Sequence, residues 1–160
     1  MVLASLFASL TALCSWLSVP IPPVAFTLQT FALLLALGVL GGKWGSVSIL
    51  LYLLLGFIGL PVFSGVRGGA AAFLDPTGGF LWGFLAGALV YWILEKAGSL
   101  PAMVFAQLTC YICGCWWFAR YSGSLSAAIL ACVAPYLVPD GIKLWLAYTM
   151  SKKLKKAIPV

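Results

Sequence analysis

Residues 139–156 read PDGIKLWLAYTMSKKLKK: a proline, an Asp and a Lys three positions apart, an apolar run, then a cluster of lysines. Lys152, Lys153, Lys155 and Lys156 beside an apolar segment read as a cytoplasmic anchor on anionic lipid. Twelve positions separate Asp140 from Lys152. As a helix that distance is about 18 Å, against a hydrocarbon core of about 30 Å. Asp140 is therefore expected within hydrocarbon depth, roughly 10 Å short of the external surface. Each charge costs about 2.5–3.5 kcal/mol at a helix centre, so it is tolerated only when paired or facing a polar cavity. Spaced three apart at a helix start, Asp140 and Lys143 point the same way. The helix dipole favours the ionised carboxylate. One reading is a structural ion pair that caps the helix; the other is a site for a small polar ligand entering from outside. Ionisable residues inside a membrane default to function.

Composition agrees with a membrane chain. Of 160 residues, 64% are apolar, 8% are charged and none is histidine. Soluble domains carry about a quarter charged residues, and a folded domain of this size buries only about 60–70% of its surface. Lipid must be part of the solvent, which excludes the water-soluble enzyme classes. The net charge of +6 is not a nucleic-acid signal, because its lysines cluster at the C-terminus and no basic stripe with exposed aromatics exists elsewhere. The apolar N-terminal run lacks the basic lead-in of a signal peptide, and Leu13 before Cys14 is too bulky for a lipoprotein site. This run is expected to be the first membrane helix.

Apolar runs separated by Gly, Pro and charge predict an all-α protein of six spans in a single domain, 1–160. The spans are 2–17, stopped by Pro20-Ile21-Pro22-Pro23; 27–40, ending at Gly41-Gly42-Lys43; 44–60, ending at Pro61; 78–94, stopped by Glu95-Lys96; 101–121; and a last helix 140–152. A short apolar piece, 125–134, precedes the last helix. With six spans, Lys43, Lys96 and the four C-terminal lysines share a side, opposite Arg67 and Arg120. The positive-inside rule then places both termini in the cytoplasm. The irregular connections 61–77 and 122–139 face outside and are expected to fold over something, since irregular backbone at membrane depth survives only when covered or lining a cavity.

Other features admit two readings each. Gly65, Gly68, Gly69, Gly78 and Gly79 surround Asp75-Pro76-Thr77, and glycines allow close backbone approach to a ligand or a helix. Thr77 fits an N-cap for the fourth span behind Pro76. Arg67 either snorkels outward or closes on an anionic ligand group. Ala4, Ala8 and Ala12 form a small-residue stripe beside Ser5 and Ser9, suited to internal packing or to docking a partner. Cys110, Cys113 and Cys115 read as small hydrophobes rather than metal ligands, since a zinc site needs four N or S ligands. Trp116, Trp117 and Tyr121 read as an interfacial belt. No nucleophile–base pair, phosphate loop or carboxylate dyad points to catalysis.

Taken together, Thr27-Leu28-Gln29-Thr30, Gly59-Leu60-Pro61-Val62-Phe63, Gly68-Gly69, Pro76-Thr77-Gly78-Gly79-Phe80, and Pro135 followed by Asp140 and Lys143 resemble the BioY family. These are the biotin-specific substrate-binding (S) components of energy-coupling factor (ECF) transporters. The motifs run through nearly the whole chain in the family's order. Phe80 stands where the family usually has Tyr, and Pro139 where it has Gly; the N-terminus is short and lacks the polar leader common before the first helix. The resemblance implies a six-helix S-component fold in the cytoplasmic membrane, with an outward pocket capped by the loop after the third span. It implies high-affinity biotin binding and uptake without a cofactor. It also implies a membrane-spanning coupling subunit and two ATP-binding subunits as partners, docking on a face that Ala4 and Ala8 match. ATP hydrolysis then belongs to the partners, and the chain is not an enzyme.

Biotin offers two ureido N–H groups, a ureido carbonyl and a carboxylate. Asp140 can accept from the N–H groups, and Lys143 can donate to the carbonyl or the carboxylate. Gly68 and Gly69 are candidates to lie against the thiophane ring, with Phe63 or Tyr52 packing it. Gln29, Arg67 and Thr77 complete the candidate set. The rival readings are a stand-alone secondary transporter, which needs an internal repeat and a midplane ion site, and a membrane scaffold, which needs no buried charge pair.

Overall fold

The computed structural model describes residues 1–19 and 24–157; the Pro20–Pro23 stop expected after the first span lies outside them. Seven helices follow in chain order: α1 Val2–Trp16, α2 Gln29–Phe57, α3 Ala71–Leu74, α4 Gly78–Leu94, α5 Ser99–Ser122, α6 Leu125–Cys132 and α7 Leu137–Ala157. Among the described residues four stretches are long and apolar enough to cross a membrane, Gln29–Phe57, Gly78–Ala97, Ser99–Ser122 and Leu125–Ala157; α1 is apolar but shorter. The outer surface carries large apolar side chains such as Ile93, Ile112, Leu130 and Val138, each at least 68% exposed. Lipid is the solvent that such a surface requires.

Helix α2 is two arms. Gly41 takes φ 77°, ψ 172°, a conformation open to glycine alone without strain. A straight helix would separate Gln29 from Tyr52 by about 34 Å, yet Gln29 Nε2 donates to Tyr52 Oη at 2.8 Å. The chain therefore doubles back at the Gly41-Gly42 pair, as its sequence predicts. The second arm needs a cap for its free N–H groups, and Glu95, from a distant turn, accepts from Gly42 N–H at 2.6 Å. The first arm is the centre of the molecule: Ala32 to Leu37, Val39 and Leu40 are all buried. A helix apolar on every side is one that other helices surround.

Helices α4 and α5 meet along glycines. Gly79, Gly83 and Gly87 recur every fourth residue on α4. A Cβ at Gly79 would lie 2.9 Å from the Cys113 carbonyl oxygen, at Gly83 3.0 Å from Cys110 Cα, and at Gly87 2.6 Å from the Ala106 carbonyl oxygen. This is the small-xxx-small pattern that brings two membrane helices into backbone contact.

Several expectations are corrected. The fold is not purely helical: Ser18–Val19 (β1) pairs antiparallel with Phe26–Thr27 (β2), because backbone groups at a chain reversal must find partners within the protein. The last helix begins at Leu137 rather than 140; Pro139 fits its first turn, where a missing N–H breaks no bond. Thr77 does hold the N-cap position of α4, but its backbone is helical and its side chain makes no capping bond. Ala4, Ala8 and Ala12 are only 2%, 2% and 9% exposed. The stripe therefore packs closely within this chain.

The 61–77 connection folds down as expected, by bonds that an interfacial belt does not explain. Trp117 Nε1 donates to the Asp75 carbonyl at 3.0 Å and Tyr121 Oη to that of Leu74. From α1, Ser15 Oγ donates to Val62 O at 2.5 Å and Trp16 Nε1 to Pro61 O at 2.7 Å. Trp116 and Tyr121 are exposed as a belt requires, and the Arg120 guanidinium lies over the Trp116 ring.

Candidate ligand site

Asp140 and Lys143 stand in the first turns of α7 with side chains 8% and 7% exposed, joined at 2.7 Å between Oδ1 and Nζ. Lys143 Nζ also donates to the Thr27 carbonyl at 2.7 Å and reaches Thr30 Oγ1 at 3.5 Å. It lies 3.8 Å from the centre of the Phe26 ring. Asp140 Oδ2 accepts from Tyr111 Oη at 2.6 Å and from Gln107 Nε2 at 3.2 Å. Two buried charges are thus held by α5, α7 and the 26–30 segment together, which offsets the cost of taking them out of water.

The pair is not sealed. Both side chains line a cavity of about 330 Å³, at the small end of the about 300–1,000 Å³ usual for small-molecule sites. An ammonium has three donors and a carboxylate about four acceptor positions. At Lys143 two donors are well used and the third meets only the long Thr30 contact and the Phe26 ring. At Asp140 three acceptor positions are filled, two of them on Oδ2. One acceptor position on Oδ1 and the Lys143 N–H held only by the long Thr30 contact and the Phe26 ring are therefore the least committed groups of the pair.

The walls are apolar, with Phe63, Ala72, Phe80, Leu81 and Phe84 among them. At the other end Arg67 lines the cavity while its side chain is 54% exposed, ion-paired to Asp75 at 2.8 Å. It is presented by a tight reversal in which Phe63 and Arg67 exchange both backbone bonds. Val66 within that reversal sits at φ 58°, a strained conformation for a β-branched residue and one that marks functional segments.

Of the residues singled out by sequence, Asp140, Lys143, Gln29, Phe63, Arg67 and Thr77 line this one cavity. Tyr52 does not; it is fully buried behind Phe63, ring against ring at 5.5 Å, and donates to Val62 O. Gly68 and Gly69 are also outside the lining. Gly68 is pressed on the Leu60 backbone, and Gly69 N–H donates to Gly56 O at 2.7 Å, so both serve the loop's own folding. Sequence reading missed Tyr111 and Gln107. Their signal was legible: two polar residues four apart in an apolar helix share a face. It also missed Phe26, Thr30 and Tyr136, whose ring stacks on Phe26 and whose hydroxyl donates to Val24 O. Cys110 and Cys132 line the cavity as free thiols. Among the described residues no His, Cys, Asp or Glu cluster is arranged to hold a metal ion.

A cavity with an apolar body, a buried polar pair at one end and a cation at the exposed other end, set in a multi-pass membrane bundle, defines a membrane binding protein for a small amphipathic solute. The BioY family matches residues 1–160, and the chain belongs to it. It is 39% identical over 158 residues to the biotin transporter BioY of Thermotoga maritima, covering 96% of this chain and 94% of that one. To the probable biotin transporter BioY of Pyrococcus horikoshii it is 39% identical over 153 residues, with the same coverage. A crystal structure of the S-component for biotin from an ECF-type ABC transporter superposes with a TM-score of 0.88 at 28% identity, covering 96% of this chain and 88% of that one. These relatives are transporters, not enzymes.

Proposed function

We propose that this chain binds biotin from outside the cell and carries it across the cytoplasmic membrane as the substrate-specific subunit of an ECF-type transporter. The observation that carries the proposal is the buried Asp140–Lys143 pair lining the cavity, with one acceptor position unfilled and one donor only loosely held. A cyclic urea presents an N–H next to a carbonyl and complements that pair. The bicyclic ring and tail suit the phenylalanine-rich walls, and the carboxylate reaches Arg67 at the rim. The doubled-back α2 supports counting six spans, with Lys43, Lys96 and the C-terminal lysines on the cytoplasmic side by the positive-inside rule. Energy comes from a coupling subunit and two ATP-binding subunits.

Biotin at a hundredfold excess over its Kd should stabilise the purified protein by about 2.7 kcal/mol, read as a rise in Tm in detergent. No shift and no retained radiolabelled biotin would overturn the reading. Uptake that persists in cells without any coupling subunit would assign a stand-alone carrier instead. Arg67→Ala should weaken biotin binding about ten- to a hundredfold by loss of a charged hydrogen bond. Binding of biotinol, which lacks the carboxylate, should stay within about threefold of the parent protein's. Equal losses for both compounds would place the carboxylate elsewhere.

A further inference from the structure

We infer that Tyr111, with Gln107, sets which hydrogen-bonding edge of a ligand the site accepts, by occupying one oxygen of Asp140. The inference rests on the biotin reading above and concerns residues that the reading itself does not need. Both α5 donors go to the same atom: Tyr111 Oη lies 2.6 Å and Gln107 Nε2 3.2 Å from Oδ2, whereas Lys143 Nζ holds Oδ1 at 2.7 Å. Tyr111 and Gln107 are buried, one helical turn apart, and both line the cavity. Each carboxylate oxygen has two acceptor positions, so Oδ2 is full. The carboxylate can then meet a ligand only through Oδ1, next to the loosely held third N–H of Lys143.

The consequence is a rule of complementarity. An edge with an N–H beside a C=O, as in a cyclic urea or amide, satisfies Oδ1 and Lys143 together. An edge with two N–H groups, as in a guanidine, needs both carboxylate oxygens and turns a donor toward the Lys143 ammonium. A buried polar group left facing the wrong partner is what gives such sites strong discrimination. Tyr111 is in this sense a positioning residue: it acts through Asp140 by withholding Oδ2.

The test compares biotin with 2-iminobiotin, a cyclic guanidine that is protonated at neutral pH, so that its edge is donor–donor and its positive charge is the same against every variant. Equilibrium binding is measured for the full-length parent protein, Tyr111→Phe and Gln107→Leu in detergent, with Tm recorded for each. In Tyr111→Phe, which frees an acceptor position on Oδ2, biotin affinity should change by less than about threefold while that of 2-iminobiotin rises about tenfold, so the preference narrows about tenfold. Gln107→Leu should narrow it in the same direction to a smaller degree, and it carries the test alone if Tyr111→Phe does not fold. A preference unchanged in the folded variants, whether both affinities fall together or neither moves, overturns the inference. Asp140→Ala is the separate control on the underlying reading: parental biotin binding there sinks the biotin site itself, whatever Tyr111 does.

Discussion

Lys143→Met is expected to destabilise the protein by about 3–5 kcal/mol, the usual consequence of leaving one member of a buried ion pair alone. The Asp140 carboxylate, 8% exposed, would keep its Tyr111 and Gln107 donors but face an apolar methionine at Oδ1. The Thr27 carbonyl would lose its charged donor as well. Combining Lys143→Met with Asp140→Leu removes both charges. Replacing a buried pair by apolar residues of similar volume is often neutral or stabilising by about 1–4 kcal/mol. The double variant should therefore regain part of the lost stability, the unpaired Tyr111, Gln107 and Thr27 groups being left to water in the cavity. Thermal unfolding in detergent reads both. If the single variant is as stable as the parent protein, the pair is not buried as described.

Gly87→Leu should be the most damaging change outside the cavity. A Cβ there falls 2.6 Å from the Ala106 carbonyl oxygen and 3.5 Å from its Cα, and neither belongs to a side chain that can move aside. Leucine gains less than about 1 kcal/mol of helix propensity over glycine. Overpacking costs about 1–3 kcal/mol even where side chains yield, and here α4 and α5 must separate along their length. The expected outcome is loss of a monodisperse, folded peak on size-exclusion chromatography. Gly59→Leu is the fitting contrast for space alone: nothing lies within 4 Å of a Cβ there, although its φ of 108° adds backbone strain.

The parts of the fold that sequence foretold are those written in local chemistry. Gly41-Gly42-Lys43 announced a reversal because it combines residues free to take positive φ with a charge that belongs at an interface. Asp140 and Lys143 announced a site because charge in an apolar run needs a reason. What sequence left dark was decided by partners far along the chain. Glu95 reads as a turn residue until Gly42 N–H is found against it. Tyr52 reads as a wall residue until Phe63 is seen in front of it. Ala4, Ala8 and Ala12 fit packing and docking equally, and their burial shows the packing. Tyr111 and Gln107 were legible by spacing yet sat in the same helix as three cysteines that drew the metal question. The positive φ at Val66 was not legible at all, since valine is among the residues least suited to it.

The central claim is that the buried pair recognises biotin and does not merely hold α7 in place. Binding of radiolabelled biotin to the folded Asp140→Leu/Lys143→Met double variant separates these roles, because that variant is expected to keep the fold while losing the recognition groups. The account requires saturable, stoichiometric binding by the parent protein and none by the double variant at the same concentrations. A folded double variant that binds biotin as tightly as the parent protein contradicts it.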